Sequence, residues 1–575
     1  MLPTSKYHLL ALSATAAIWT QASGKPCPPL GAVLPASRQP SKEPIVAEAL
    51  RIFADKFVEI VYEFNSSAVS IGLQSIHEDE PMFDIHFTPV VRNENGTDKV
   101  TRDTVYRVGS ISKIFTVLAV LQESSISFED PVTKYLPSLN TNQPNGSSIE
   151  AAQWDQVTVG SLASHVSGIG RDFGLDLAVF PFDITAAKLP PSDNSTRPNC
   201  SGLPGTRLCT GEDLLVQFPR RHPQFAPFTK PLYSSVGISL LALVVEAATN
   251  KTLDELMRDK ILKPAGMEST SLVTGPPDNS MGFIPDGEKF WNVSLGINDA
   301  NGGMYSTTAD MLKFGKAILK HQLLSPAKTN KWLQPTSFTS SRGQVLGAPW
   351  EIQRADRLAP NGRVVDVFTK AGDLGGYHSM FALIPEYDLV LSVMTAGKEV
   401  SGLFSVQTNL VSQTLKAIVP ALEAVSKKDA QVNLAGEYRD GSSFVALDID
   451  EGPGLVLSNW TVDGFDVLRN FLGYSAVAPS TKPIPGKARL YPSGLKDGNK
   501  TSWRMVFDQV DDVRGEEFDQ AVVFQDGSCI NWGTMDKFVY DSVGLEEFVF
   551  TMSDGGKAES ITPSAFEVTL PRLAK

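Results

Sequence analysis

The sequence predicts a mixed α/β (α+β) region followed by an all-β domain, and three observations carry that prediction. The chain has 575 residues, more than one hydrophobic core organises, so two domains or more are expected. Up to about residue 430, stretches with helical periodicity are interleaved with strand-like runs. From Val432 the texture changes: "NLAGEYRDGSSFVALDIDEGPGLVLSNWTV" alternates short β-type runs with Gly/Asp turns, and this continues to the end. The expected boundaries are 1–24 for a cleaved leader, 25–430 for the mixed region and 431–575 for the β domain.

The elements follow in order. "MLPTSKYH" carries positive charge, "LLALSATAAIW" is apolar and "TQASG" is small, which is a secretory signal pattern with cleavage expected after Ala22 or Gly24. After a proline-rich leader, "EPIVAEALRIFADKFVEIVYEF" has helical periodicity. "AVSIGLQSI", "MFDIHFTP" and "TVYRV" read as strands, and a helix beginning at Ser110 follows. Residues 173–212 form an irregular insertion, and a loop that long is usually functional or mobile. "SVGISLLALVVEAATN", "TLDELMRDKILKPAG" and "TTADMLKFGKAILK" read as helices. "VVDVFTKAG", "YHSMFALIPE" and "DLVLSVMTAG" are strands joined by short turns, and "VQTNLVSQTLKAIVPALEAVSKK" is a closing helix.

Composition narrows the function. The formal net charge is -13 and no Lys/Arg stripe is visible, which argues against nucleic acid as a partner. No segment after the leader has the length of a membrane helix, and "EVTLPRLAK" lacks the tail of a lipid-anchor signal. Nine Asn-x-Ser/Thr sequons (Asn65, Asn95, Asn145, Asn194, Asn199, Asn250, Asn292, Asn459 and Asn499) point to a glycosylated secreted protein. The cysteines number four. Four cysteines allow three pairings; Cys200 and Cys209 flank a short loop and are the preferred local pair, which would leave Cys27 for Cys529 and staple the β domain to the preceding domain. No Cys/His cluster has zinc-site spacing, so no metal is expected.

Ser-x-x-Lys occurs at Ser110/Lys113, Ser325/Lys328 and Ser493/Lys496, and context selects among them. Ser325 precedes Pro326 and suits a helix cap. Ser493 lies in "YPSGLKDGNK", a turn-rich stretch. Ser110 alone sits between a strand and a strongly apolar helix, "KIFTVLAVLQ". Residues three apart share a helix face, so Lys113 can reach the Ser110 hydroxyl, and burial would lower its pKa towards that of a base. The N–H of Ser110, at a helix start, is free to bind an oxyanion. Two further stretches bear on this pair. "KPLYSSVG" places Tyr233 and Ser235 before a helix, and a phenol near cations can act as a base. "FTKAGDLGG" places Lys370 on a strand followed by small residues, where backbone can approach a ligand. Read singly, these are a cap, a half-buried tyrosine and a lysine before a turn.

In this order, Ser-x-x-Lys, Tyr-x-Ser and Lys-Ala-Gly resemble the serine β-lactamase and penicillin-binding protein family, in its class C-like esterase and peptidase branch, most of all the fungal secreted members with an extra C-terminal β domain. "FEDPVTKYLPSL", "VTVGSLASHVSGI" and "GGMYSTTADMLKFGKAIL" are similar to family landmarks in family order. The resemblance covers roughly residues 45–428. It implies an antiparallel sheet flanked by helices, with a helical lobe beside it. It implies that Ser110 is acylated, that Lys113 and Tyr233 share the proton traffic, and that Lys370 tunes Tyr233 and binds a substrate carboxylate. The N–H groups of Ser110 and of Asp373, which follows Gly372, would form the oxyanion hole. His165 in "LASHVSG" would be a turn residue. No metal or organic cofactor is implied, and the partner would be a small acyl substrate.

Two positions depart from the family pattern. Ser235 stands where asparagine is usual, and Ala371 where lactamases often have threonine. A hydroxyl offers one donor where an amide offers two. The expected chemistry is therefore hydrolysis of an ester, lactone or small amide, rather than of penicillin. The alternatives are acyl transfer to an alcohol or amine on the same site, and a non-catalytic binding protein that keeps the fold.

Overall fold

The computed structural model describes residues 27–574, apart from 143–145, 180–185, 192–198, 273–274, 276–277, 402–405, 476–478, 485, 509–519, 521 and 524–528. The expected leader and the sequons Asn145 and Asn194 lie outside the described residues. The chain divides into two units, Pro35–Asp429 on the one hand, and Ala430–Lys575 with the segment up to Leu34 on the other.

The first unit is built on an eight-stranded antiparallel sheet. Its strands are β1 (Ala68–Ser75), β2 (Phe83–Phe87), β5 (Ser337–Phe338), β6 (Gln344–Leu346), β7 (Glu351–Ala355), β8 (Val365–Leu374), β9 (Tyr377–Ile384) and β10 (Leu389–Ala396), in the spatial order 2-1-10-9-8-7-6-5. A short ribbon, β3 (Val105–Arg107) with β4 (Tyr305–Thr307), stands apart from it. Strands β1, β9 and β10 are buried along their whole length because both faces are covered. On one face Val69, Ile71 and Leu73 pack with Phe53 and Phe57 of α1 (Pro44–Val61) and with Leu415 and Leu422 of a helix spanning Val406–Asn433. The other face carries a helical layer with α2 (Ser112–Leu121), α3 (Ser235–Thr249) and α4 (Thr308–Leu319). Phe115 of α2 stacks on Phe314 of α4 with ring centroids 4.2 Å apart. Helix α2 is buried all round, as its mostly apolar sequence requires, and it takes Ser112, Lys113 and Thr116 inside with it.

Several expectations need correction. "TLDELMRDKILKPAG" is not one regular helix: Leu253–Met257 is α, Arg258–Leu262 is π and Lys263–Ala265 is α again. Pro264 has no N–H for the Lys260 carbonyl, which instead accepts from Gln122 Nε2 at 3.1 Å. "YPSGLKDGNK" is not a run of turns but the paired strands Ala488–Asp497 and Lys500–Phe507. The register shifts between Pro492 and Lys496, so the proline and glycine sit in an irregularity of the ladder. Strands β5, β6 and β7 had no sequence signal strong enough to be anticipated.

The second unit is a nine-stranded antiparallel sheet whose main strands follow one another in chain order, from Gly436–Asp440 to Leu570–Pro571. Trp460, Trp503, Phe548 and Phe550 fill its core. Both expected disulfides form, Cys27–Cys529 and Cys200–Cys209. The staple between domains does not exist, however. Cys27 belongs to the same unit as Cys529, and Leu34 packs into that unit's core, so the described residues 27–34 are part of the β unit rather than of the mixed one. Asn65, Asn95, Asn199, Asn250, Asn292, Asn459 and Asn499 are all exposed.

Candidate active site

Ser110 sits in a single 3₁₀ turn, Gly109–Ile111, between β3 and α2, and is half-buried. The turn is pressed against the end of β8. A Cβ on Gly372 would lie 2.0 Å from Val108 O and 3.1 Å from Ser110 N. A Cβ on Gly109, whose φ is +51°, would lie 2.6 Å from Asp373 N. Only two glycines allow the backbone carrying the Ser110 and Asp373 N–H groups to come this close. The Asp373 side chain itself is exposed, and its Oδ1 lies 2.6 Å from His378 Nδ1, its cross-strand neighbour.

Helix α2 carries Lys113 one turn beyond Ser110. Its Nζ donates to Ser110 Oγ at 2.8 Å and to Asn301 O at 2.8 Å. The side chain is fully buried. Burial is the main force lowering the Lys113 pKa, and the Lys370 ammonium adds to it, while Tyr233 opposes. Tyr233 OH also reaches Ser110 Oγ, at 2.7 Å. Burial raises the phenol's pKa, but the two ammonium groups Lys113 and Lys370 outweigh it, and the net shift is downward. Their nitrogens lie 5.0 and 5.2 Å from the Tyr233 ring centre. One hydroxyl thus touches two groups, each moved towards its deprotonated form.

Lys370 is held between opposing forces. Burial lowers its pKa, and Glu351 overcomes that and raises it. Lys370 Nζ donates to Glu351 Oε1 at 2.5 Å, and Glu351 Oε2 accepts the Ala371 N–H at 3.0 Å. Only 1% of Lys370 is exposed. Its ammonium is therefore already paired with Glu351, on β7, while its positive field still reaches Tyr233. Glu351 escaped the sequence reading. It meets Lys370 only through the β7–β8 register, in which Glu351 faces Thr369.

Ser235 is the first residue of α3 and half-buried, and its N–H donates to Arg171 O at 2.8 Å. The capping residue is its neighbour Ser234, whose Oγ accepts the Gly237 N–H at 3.1 Å. The Ser234 N–H in turn donates to His165 Nδ1 at 3.1 Å, which places the imidazole proton on Nε2. Burial first, then Lys113 and Lys370, holds His165 well below its usual pKa, so the ring is neutral. It packs against Tyr233 with centroids 4.7 Å apart and makes no hydrogen bond to Ser110. This is scaffold geometry, with φ at +61° in a tight turn. Beneath the site, Asn301 Nδ2 donates to Ser239 Oγ at 2.9 Å, fixing the carbonyl that orients Lys113. Among the described residues no three His, Cys, Asp or Glu side chains converge as a metal site.

An antiparallel sheet backed by helices, with a Ser-x-x-Lys turn at the lip of an inner strand, defines the β-lactamase/transpeptidase class of fold. Sequence comparison agrees. The family profile "Beta-lactamase" matches residues 69–413, and a profile described as "Beta-lactamase-like-like, C-terminal domain" matches residues 426–574. The chain belongs to the beta-lactamase family, a family of hydrolases. It is 28% identical over 573 residues to a "Beta-lactamase-like protein" of Arthroderma benhamiae, covering 93% of this chain and 94% of that one. It is 26% identical to "Probable hydrolase clz13" of Cochliobolus lunatus, covering 70% and 68% of the two chains. Among solved structures, a "Beta-lactamase/D-alanine Carboxypeptidase" of Yersinia pestis superposes with a TM-score of 0.49 at 19% identity, over 65% of this chain and 99% of that one.

Proposed function

We propose that this protein is a secreted serine acyl hydrolase that cleaves an ester, a lactone or a small amide through an acyl-enzyme on Ser110. One observation carries the reading: a single serine hydroxyl lies within hydrogen-bond distance of both Lys113 Nζ and Tyr233 OH, at 2.8 and 2.7 Å. In the first half-reaction Ser110 Oγ bonds to the carbonyl carbon, and its proton passes to the Lys113/Tyr233 pair. The negative oxygen is held by the N–H groups of Ser110 and Asp373. The carbon's bond to the leaving group then breaks, and the pair gives that group the proton. In the second half-reaction water bonds to the acyl carbon and gives a proton to the pair, the bond to Ser110 Oγ breaks, Ser110 takes the proton back, and the acid is released. Lys370, paired with Glu351, acts on this cycle through its field at Tyr233 and not as a substrate anchor. Ser235, two residues after Tyr233, offers one hydroxyl where an amide would offer more contacts, which favours esters and lactones over penicillins. Two disulfides and seven exposed sequons support an extracellular setting. A panel of esters, lactones and small amides assayed against the wild type and Ser110→Ala tests the reading. Turnover of at least one class by the wild type, and by the variant of none, is the expected result. Equal turnover by both proteins would refute it.

A further inference from the structure

We infer that His378 is a positioning residue for the oxyanion hole, and that it holds the backbone of Asp373 through that residue's side chain. This rests on the reading of Ser110 above. The sheet register creates the need. Strand β8 pairs with β7 only as far as Thr369, opposite Glu351, so from Lys370 to Leu374 its one ladder partner is β9. The two strands are joined by a two-residue turn, Gly375 and Gly376, flanked by the pair Leu374 and Tyr377. In such a hairpin the flanking residues exchange backbone hydrogen bonds, and the next pair, Asp373 with His378, does not. The Asp373 N–H therefore points away from β9, to the free edge of β8 where the Ser110 turn lies, as an oxyanion donor must. The same geometry leaves the Asp373 backbone with no hydrogen bond to β9.

Side chains supply the missing tie. Cross-strand side chains come closest at non-hydrogen-bonded pairs, and here His378 Nδ1 lies 2.6 Å from Asp373 Oδ1. An ionised carboxylate only accepts, so Nδ1 carries the proton and donates. A hydrogen bond to a charged acceptor is roughly twice as strong as one between neutral groups. His378 is buried, and its Nε2 has no partner among the described residues, so the ring serves Asp373 alone. Alternation along the strands puts the pair on the same face as Ala371 and Met380, which pack in one core with Phe53 and Phe57 of α1. Lys370 and Gly372 take the opposite face, towards Tyr233 and the Ser110 turn. The imidazole thus acts through Asp373, from the face of the sheet turned away from Ser110.

The experiment measures kcat/KM for 4-nitrophenyl butyrate and the inhibition constant of butylboronic acid. A boronic acid forms a tetrahedral adduct on a reactive serine, with one oxygen in the hole. The proteins are the wild type, His378→Ala, His378→Asn, Asp373→Ala and the double alanine variant. His378→Ala should lower kcat/KM about 10-fold, part of the roughly 100-fold that a 1 Å displacement costs. It should weaken the boronate by the same factor, because both readouts report the tetrahedral state. A role in stability alone would reduce the amount of folded enzyme and leave the inhibition constant where it was. His378→Asn puts an amide N–H close to the place of Nδ1 and should recover most of the loss. Asp373→Ala, a change at an exposed side chain, should match His378→Ala. The double variant should lose no more than either single one, since the two side chains share one bond. An unchanged boronate constant in the alanine variants, or a double variant in which the losses multiply to about 100-fold, would overturn the inference and leave the Ser110 reading intact. A wild type that neither turns over the ester nor binds the boronate would overturn that reading, and this inference with it.

Discussion

Replacing Gly372 by alanine tests the geometry of the oxyanion hole with one methyl group. The new Cβ would stand 2.0 Å from Val108 O, where real Cβ atoms keep 3.0 Å or more. The obstacle is backbone on both sides, so no side chain can rotate out of the way. Strand β8 and the Ser110 turn must separate by about 1 Å. That displacement moves the Asp373 N–H away from the Ser110 N–H, and a 1 Å misplacement of catalytic groups costs roughly 100-fold in rate. The loss should appear in kcat/KM for an activated ester and equals about 2.7 kcal/mol of barrier. Overpacking should also lower stability by about 1–3 kcal/mol, read from denaturant unfolding. Lys113 and Tyr233 remain in place, so the pH dependence of the residual activity should keep its midpoint. A folded Gly372→Ala protein with the wild-type acylation rate would refute the claim that these two backbone segments form one hole.

Three other outcomes are expected. Lys113→Ala and Tyr233→Phe should each lower kcat/KM for an activated ester by about 10²–10⁴, and the double variant should lose little more than the worse single one, because the two groups handle one proton. Acylation should rise with pH, since the deprotonated pair is the active form, with a midpoint below the ordinary phenol value of 10.0; Lys370→Met removes a cation and leaves Glu351 unpaired, both of which push that midpoint upward in a pH–rate profile. Replacing Cys27 and Cys529 together by serine should destabilise the β unit by about 2–4 kcal/mol in a denaturant titration and leave ester acylation unchanged, because both cysteines belong to that unit.

What could be read from the sequence depended on whether the signal was local. Ser110 and Lys113 are three apart on an apolar helix, so their meeting follows from helix geometry, and the structure places them 2.8 Å apart. The strands ending at Gly372, Glu386 and Gly397 were long, alternating or fully apolar, and the sheet contains all three. Tyr233 and Lys370 lie more than a hundred residues from Ser110, and no periodicity links them to it. Only the order of motifs, matched to a family, brought them together. Glu351 shows the limit: it stands at the start of a five-residue strand with no pattern to single it out, and its pairing with Lys370 is a property of sheet register. Spacing favoured the local pair Cys200–Cys209 and so left Cys27 for Cys529, whereas the unit to which Cys27 belongs could not be read, since that depends on where the segment around Leu34 packs.

The central claim is that Ser110 becomes acylated. Its most direct test is the intact mass of the deglycosylated protein after exposure to a fluorophosphonate probe and, separately, to an activated ester, beside Ser110→Ala. The account predicts one adduct on the wild type, mapping to the peptide that contains Ser110, and none on the variant. No adduct on the wild type, or the same adduct on both proteins, would contradict it.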